Sequence, residues 1–245
     1  MIRNALVAGL LLAATQAQAA STQAQAAWEC SVKPQDDVVI TPQSVQVVGA
    51  NGNLQISTLG DVQFNGQKMA LNAANRQKAI DYQNALRRDL PWIDNGATSR
   101  LEKGRAALDN IITQQVGESS RLHSRLATLN TQLKTQMNRI IEHRSDGLTF
   151  HHQAIDQVRA DGQQLVNQAM GGILQDSINE MGSKAMSNGG GSGLQGLMGN
   201  LGGLQNAIQS EWNNQEADFQ QFGKAVCNRV ISLENDRKAL VGSLK

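Results

Sequence analysis

Four histidines carry most of the chemistry this chain has to offer: His123, His143, His151 and His152. The last three share one short stretch with Glu142 and Asp146. Imidazole nitrogens beside carboxylates are the donor set of a zinc-type site. The surrounding sequence argues against one. Ser145-Asp146-Gly147 reads as the turn between two helices, so the cluster sits at an exposed tip. Adjacent histidines on a helix point in different directions. The reading is that no metal and no cofactor is bound, with His143, His151, His152 and Asp146 the candidates if a metal were. The competing reading is a solvated tip, with His143 and Arg144 opposing the helix dipole in the last turn.

Other chemistries are absent or misplaced. There is no Gly-x-Ser-x-Gly elbow, Ser-x-x-Lys, His-Glu-x-x-His or Walker loop. Gly191-Ser192-Gly193-Leu194-Gln195-Gly196 matches the dinucleotide fingerprint in form only, since no strand precedes it and no βαβ unit surrounds it. Carboxylates are scattered along helix faces beside Lys or Arg, as solvated charge is. No catalytic or cofactor-binding residue is assigned, and the reading leans away from an enzyme.

The two cysteines, Cys30 and Cys227, lie near opposite ends of the chain and form no Cys-x-x-Cys pair. An even count favours a disulfide if the chain is exported; two separate thiols are the alternative. Residues 1–19 support export. Arg3 precedes an apolar run, Ala5 to Ala14, that is too short to span a bilayer. Ala17-Gln18-Ala19 places cleavage before Ala20, and Ala24-Gln25-Ala26 would place it before Ala27. Ala27-Trp28-Glu29 before Cys30 is wrong for lipid attachment. No later segment is apolar for long enough to cross a membrane. The expectation is a periplasmic protein. Loss of the leader removes Arg3 and no acid, which takes the 22 basic residues to 21 against 21 acidic ones. A neutral chain has no electrostatic attraction to nucleic acid or to an anionic membrane.

The elements that must position these residues follow from periodicity. From Ser31 to Leu71 the period is two. Short runs at Val38–Ile40, Val45–Val48, Leu54–Ser57, Val62–Phe64 and Lys68–Leu71 are separated by turn signals that include Asn51-Gly52 and Asn65-Gly66. They predict an antiparallel meander of about four strands that needs a helix against its apolar face. Asn72 caps a helix that should break at Leu90-Pro91. A long arm follows from Ile93 to about Arg144, with its seam at Leu122, Leu126, Leu129, Leu133, Met137 and Ile140 and a kink near Gly117-Glu118-Ser119-Ser120. A second arm begins near Thr149, with its seam at Ile155, Val158, Gly162, Leu165, Ala169 and Ile173. If the arms fold back on one another, position i faces about 296 minus i; a parallel dimer through the same seam is the rival. Residues 188–203 are Gly-rich and read as a linker. Their interspersed leucines, among them Leu194, Leu197 and Leu201, offer an alternative membrane-seeking face. The last helix, from about Leu204, carries Ile208, Trp212, Phe219, Phe222, Val226, Val230, Leu233 and Leu240 on one side.

The expected fold is α+β, mainly α: a small N-terminal antiparallel β-meander packed on a bundle of long antiparallel helices. The segments are 1–19 signal, 20–71 meander, 72–187 helix plus long helical hairpin, 188–203 linker and 204–245 C-terminal helix.

From Cys30 onward the chain resembles the YggN-like family of exported proteins of Gram-negative bacteria. The motifs that carry the resemblance are Leu90-Pro91-Trp92-Ile93-Asp94, Arg144-Ser145-Asp146-Gly147-Leu148-Thr149-Phe150, Val166-Asn167-Gln168-Ala169-Met170-Gly171-Gly172 and Asp218-Phe219-Gln220-Gln221-Phe222-Gly223. The resemblance implies the periplasm and no activity, because the family is one of unknown function. Three functions stay open. The first is a non-enzymatic interaction, scaffold or chaperone-like protein that engages an envelope partner or itself. The second is a hydrolase or metal-binding protein acting on an envelope component. The third is peripheral membrane association through the Gly/Leu tract.

Overall fold

The structure is a computed structural model that describes residues 30–187 and 193–244. The signal segment, both cleavage triplets and residues 188–192 of the Gly-rich tract lie outside the described residues. Five strands open the fold: β1 (Asp36–Ile40), β2 (Ser44–Gly49), β3 (Gly52–Ser57), β4 (Val62–Phe64) and β5 (Gln67–Lys68). They form the expected meander. Phe64 pairs with Gln67, so Asn65-Gly66 is the two-residue turn, and both residues have positive φ. Helix α1 (Ala73–Gln115) follows, capped by Asn72, whose side chain accepts from the Asn75 amide at 2.8 Å. Then come α2 (Leu122–Ile140), strands β6 (Ile141–Arg144) and β7 (Gly147–Phe150), α3 (Ala154–Ser187) and α4 (Gly193–Gly242).

Three departures from the expected layout matter. The first is Pro91, which lies inside α1 and does not break it. Proline removes one amide donor and disfavours a helix interior by ~3 kcal/mol. The helix continues because the turns on both sides of Pro91 are packed: Leu86 and Leu90 under the sheet, and Trp92 against Phe222 of α4 with ring centroids 5.4 Å apart. The second departure is at residues 116–121, where the chain reverses fully. Gly117 adopts φ +113°, a left-handed conformation that glycine reaches without steric cost, and its amide closes onto the Ile112 carbonyl at 3.1 Å. The second half of α1 therefore runs antiparallel to α2, tied by Asp109 to His123 and by Glu102 to Asn130. The expected single arm is a helical hairpin. The third is the tip. Residues 141–150 form a β-hairpin that joins the sheet through β7 and β1, with Val38 opposite Phe150. The sheet is wholly antiparallel and seven-stranded, in the order β5-β4-β3-β2-β1-β7-β6. Leu148, Thr149 and Phe150 are buried, so β7 belongs to the sheet, while residues 142–146 at the turn stay exposed, as a solvated tip would be. Gly147 makes the junction possible: a Cβ there would lie 1.9 Å from the Ile40 carbonyl oxygen.

The α2–α3 pair is antiparallel within the chain. Its register is about 300 minus i, as Arg139–Asp161 and Arg125–Asp176 show. The offset from 296 arises because the chain turns through a hairpin and a short loop, not a tight helical corner. The expected seam residues Leu122, Leu126, Leu129, Leu133 and Ile140 are all buried. Helix α4 starts at Gly193, so Gly193–Gly203 is helical where a linker was expected. It pairs antiparallel with the whole of α1, from Asn75–Ser243 at one end through Asp89–Arg229 to Arg100–Asp218.

Two regions result. At one end, α2 and α3 complete a four-helix arrangement with the second half of α1 and the first half of α4, around Ile112, Leu122, Leu126, Ile173 and Leu204. At the other, the sheet packs on the first half of α1 and the last half of α4, around Val45, Ile56, Ala79, Tyr82, Leu86 and Leu240. The disulfide Cys30–Cys227, with Cα atoms 5.4 Å apart, ties the start of the sheet region to α4.

Candidate functional site

The histidines are brought together only in part. His143 Nε2 lies 2.7 Å from Asp94 of α1, and Asp146 is held across the hairpin turn by a two-pronged contact from Arg144 at 2.9 and 2.8 Å. His151 Nε2 lies 3.2 Å from Glu142, and His152 Nδ1 lies 2.6 Å from Asp37 of β1. Each histidine thus has a carboxylate beside it, and Asp37 serves two, since His151 Nδ1 lies 3.7 Å from its other oxygen. Among the described residues no three His, Cys, Asp or Glu side chains converge to hold a metal ion. Asp37 feels opposing influences. Burial raises its pKa, but the hydrogen bonds and charge of His152 and the charge of His151 outweigh this, so the carboxyl ends below its ordinary value. The imidazoles act as fasteners between the hairpin, β1 and α1.

The more prominent feature is a cavity of about 500 Å³ in the sheet region. Its floor is Val38, Val47 and Phe150 of the sheet, with Ile140 and Ile141 beside them. Its walls are Tyr82, Leu86 and Leu90 of α1 and Val226, Val230 and Leu233 of α4. The start of α3 closes a third side with Ile155, Asp156 and Arg159. Residues 30–35 cross it as a strap, fixed at one end by Cys227, at the other by β1, and between them by Lys33, whose Nζ lies 3.4 Å from Asp156. Pockets of this volume with mostly apolar linings and a few polar groups are the usual form of a small-molecule site.

Besides Gln35, His152 and Gln153, two charged groupings interrupt the mostly apolar lining. Arg237 is held by Glu234 at 2.8 Å and lies 3.3 Å from Asp36; the Arg237 and Asp36 side chains are almost fully buried. The hydrogen bonds that Arg237 donates to Glu234 raise the Arg237 pKa, and burial pushes the neighbouring Tyr82 phenol well above its ordinary value, so it stays protonated. The second grouping is Asp156, which accepts from Lys33 at 3.4 Å and forms an ion pair with Arg159 at 3.2 Å.

Behind the cavity the α1–α4 joint is built from stacked side chains. Arg229 lies 3.9 Å over the Trp92 ring, Trp92 meets Phe222, and Arg100 lies 4.0 Å over Phe222. Asp89, 2 % exposed, accepts from Arg88 at 2.8 and 2.9 Å and pairs with Arg229. Two motifs singled out in the sequence, 90–94 and 218–223, therefore face each other, and Ile93 and Gly223 also line the cavity.

Sequence reasoning missed Asp36, Asp37, Tyr82, Asp94, Arg159 and Arg237 as site residues. The cavity draws on five separated segments, and no local period marks a residue that lines a void. The available signal was Cys30 with Cys227, which brings the strap and α4 together.

What the fold and cavity define is a mainly helical α+β protein with a partly open, mostly apolar pocket and no described helix long and apolar enough to cross a membrane. The chain belongs to the family described as "Protein of unknown function (DUF2884)", whose sequence model matches residues 30–245. It is 64% identical over 236 residues to the proteins called "Uncharacterized protein YggN" of Escherichia coli K12 and of Escherichia coli O157:H7, covering 96% of this chain and 98% of each relative. No solved structure matches it.

Proposed function

We propose that this protein is a non-enzymatic binding protein of the bacterial periplasm that holds an apolar guest in the cavity beneath its sheet. The observation that carries the reading is the mostly apolar cavity of about 500 Å³, walled by two helices and the sheet and roofed by the disulfide-tethered strap. A tightly packed core leaves few voids larger than a water molecule. A cavity of this size is therefore a place for a guest. The disulfide suits an oxidising compartment. The seam between α2 and α3, once the natural place for a partner's helix, is filled by α1, α4 and its own side chains. The interaction is thus with a small molecule rather than with a helix or an unfolded segment.

The test is titration with N-phenyl-1-naphthylamine, an uncharged probe that brightens in apolar surroundings. Saturable binding near one probe per chain is expected, and its loss in Val226→Phe, which places a ring in the cavity. Unsaturable binding, or binding indifferent to Val226→Phe in a folded protein, removes the cavity as the site. Delayed aggregation of a model client without probe binding would favour a chaperone-like surface instead.

A further inference from the structure

Resting on that reading, we propose that the guest is an apolar molecule with one hydrogen-bond-donating end, a hydroxyl or an ammonium group, and that Asp36 receives that end. The cavity lining is mostly apolar, with aliphatic side chains and the rings of Tyr82 and Phe150. A guest that fits is apolar over most of its surface, since a buried polar group without a partner is costly. Among the polar residues of the lining, Gln35, Gln153 and Asp156 are exposed and open to water. His152 is engaged by Asp37. Asp36 differs from all of these. It is 7 % exposed, and its Oδ1 is buried with no hydrogen-bond partner among the described residues.

The other oxygen of Asp36 lies 3.3 Å from Arg237 Nε. The single hydrogen on that nitrogen goes to Glu234 Oε2 at 2.9 Å, and Arg237 Nη2 donates to Glu234 Oε1 at 2.8 Å. Arg237 therefore offers Asp36 its charge and gives its hydrogen bonds to Glu234. An ionised carboxylate has room for about four donors. A buried carboxylate short of donors is costly to keep, yet the sheet is shaped to hold this one. Asp36 stands opposite Gly49 in the β1–β2 ladder, and a Cβ at position 49 would run into Oδ1. Side chains alternate along a strand, so Asp36 shares the sheet face of Val38, which lies on the cavity floor. A strong acceptor thus stands beside an apolar surface. Around it two acids, Asp36 and Glu234, share one buried guanidinium, and Glu234 also meets Lys238, 65 % exposed, at 3.3 Å. An anionic end is repelled here. A hydroxyl or an ammonium group supplies the hydrogen that Asp36 lacks.

The experiment is isothermal titration of the full chain with 1-decanol and with its isomer methyl nonyl ether, which lacks the O–H. Decylamine and decanoate, cationic and anionic at pH 7, complete the series. Decanol, decylamine or both should bind one per chain and about tenfold more tightly than the ether, as a hydrogen bond to a charged acceptor implies. Decanoate should bind least. Decanol ahead of decylamine identifies a hydroxyl-ended guest, and the reverse order an ammonium-ended one. Asp36→Val removes the acceptor and should erase the advantage over the ether while the ether still binds. Asp36→Asn keeps one acceptor oxygen without the charge; it should lower the advantage severalfold, and it serves if the valine variant fails to fold. An undiminished advantage in either folded variant puts the donor's partner elsewhere and overturns the proposal. Equal affinity of the wild type for decanol, decylamine and the ether overturns it as well, as does decanoate binding most tightly. Binding of N-phenyl-1-naphthylamine without any of the four decyl-sized probes overturns the guest class and leaves the cavity reading intact. Failure of every probe removes both.

Discussion

At the scale of single residues, Asp89 is a buried carboxylate held between two arginines. It is 2 % exposed, held by Arg88 and Arg229, and Arg229 is in turn stacked on Trp92. Burial raises the Asp89 pKa, but the hydrogen bonds from the two arginines outweigh it and leave the carboxyl below 3.8. A carboxyl whose folded pKa is lowered contributes stability that is complete above its unfolded value and is lost as pH falls through the folded one. The Asp89 contribution is thus whole at neutral pH and disappears on acidification below pH 3.8. Asp89→Asn keeps the shape and removes the charge, leaving Arg88 and Arg229 without an anionic partner. Urea unfolding at pH 7 should show a loss of about 3 kcal/mol, at the low end for breaking a buried pair because both arginines reach solvent. The gap between variant and wild type should narrow in acid below pH 3.8. A gap that is constant with pH would mean that packing, not charge, is what the substitution disturbs. Glu102 is the milder case: hydrogen bonds from Lys134 and Asn130 take it down to about 2, but it sits at the surface and its removal should matter little.

At the scale of elements, the closest joint is between α1 and α4. Gly96 lies where a Cβ would meet the Phe222 ring at 2.4 Å. Two effects oppose each other in Gly96→Ala. Alanine favours a helix interior over glycine by ~1 kcal/mol. Overpacking a joint costs about 1–3 kcal/mol when a ring must move. Phe222 has little freedom, since Trp92 lies on one side and Arg100 on its face. The prediction is a net loss of about 1 kcal/mol in thermal or denaturant unfolding; a gain would show that Phe222 yields and the joint is loose. The legibility of the elements follows the same physics. The α2 seam could be read because a stripe of leucines at alternating three and four spacing has one meaning, whatever lies opposite. The meander could be read because its strands pair with neighbours in sequence. The hairpin Ile141–Phe150 could not: it is half polar, it continues a helix directly, and the bonds that hold β7 come from β1, far away in the chain. Pro91 misled for the complementary reason. Its local cost is real, but it is outweighed by contacts with residues beyond Asp218. Of the candidate site, the histidine stretch was visible as composition, whereas its partners Asp37 and Asp94 and the cavity itself exist only once the elements are assembled.

At the scale of the whole molecule, the disulfide and the antiparallel α1–α4 pair do the same job from different directions: each brings the two ends of the described chain to one place. Cys30–Cys227 closes a loop of 197 residues. On the chain-entropy view such a closure contributes about 4–5 kcal/mol by restricting the unfolded chain, offset by any native strain. The α1–α4 contacts, from Asn75–Ser243 to Arg100–Asp218, hold the same ends together without it, so reduction should weaken the fold and not abolish it. The two consequences of reduction then separate. Global stability should fall by about 4 kcal/mol in Cys30→Ser with Cys227→Ser, measured by urea unfolding with and without reductant in the wild type as the control. The strap, by contrast, loses one of its three attachments, and those that remain are β1 and the half-exposed Lys33–Asp156 pair. Residues 30–35 should therefore open far below the free energy of global unfolding. Amide exchange in residues 31–35 should accelerate in the double serine variant by much more than exchange in β2 or β3. If strap and sheet accelerate together, the disulfide is a staple for the fold alone. If the strap accelerates by itself, the bond is also what keeps the cavity roofed.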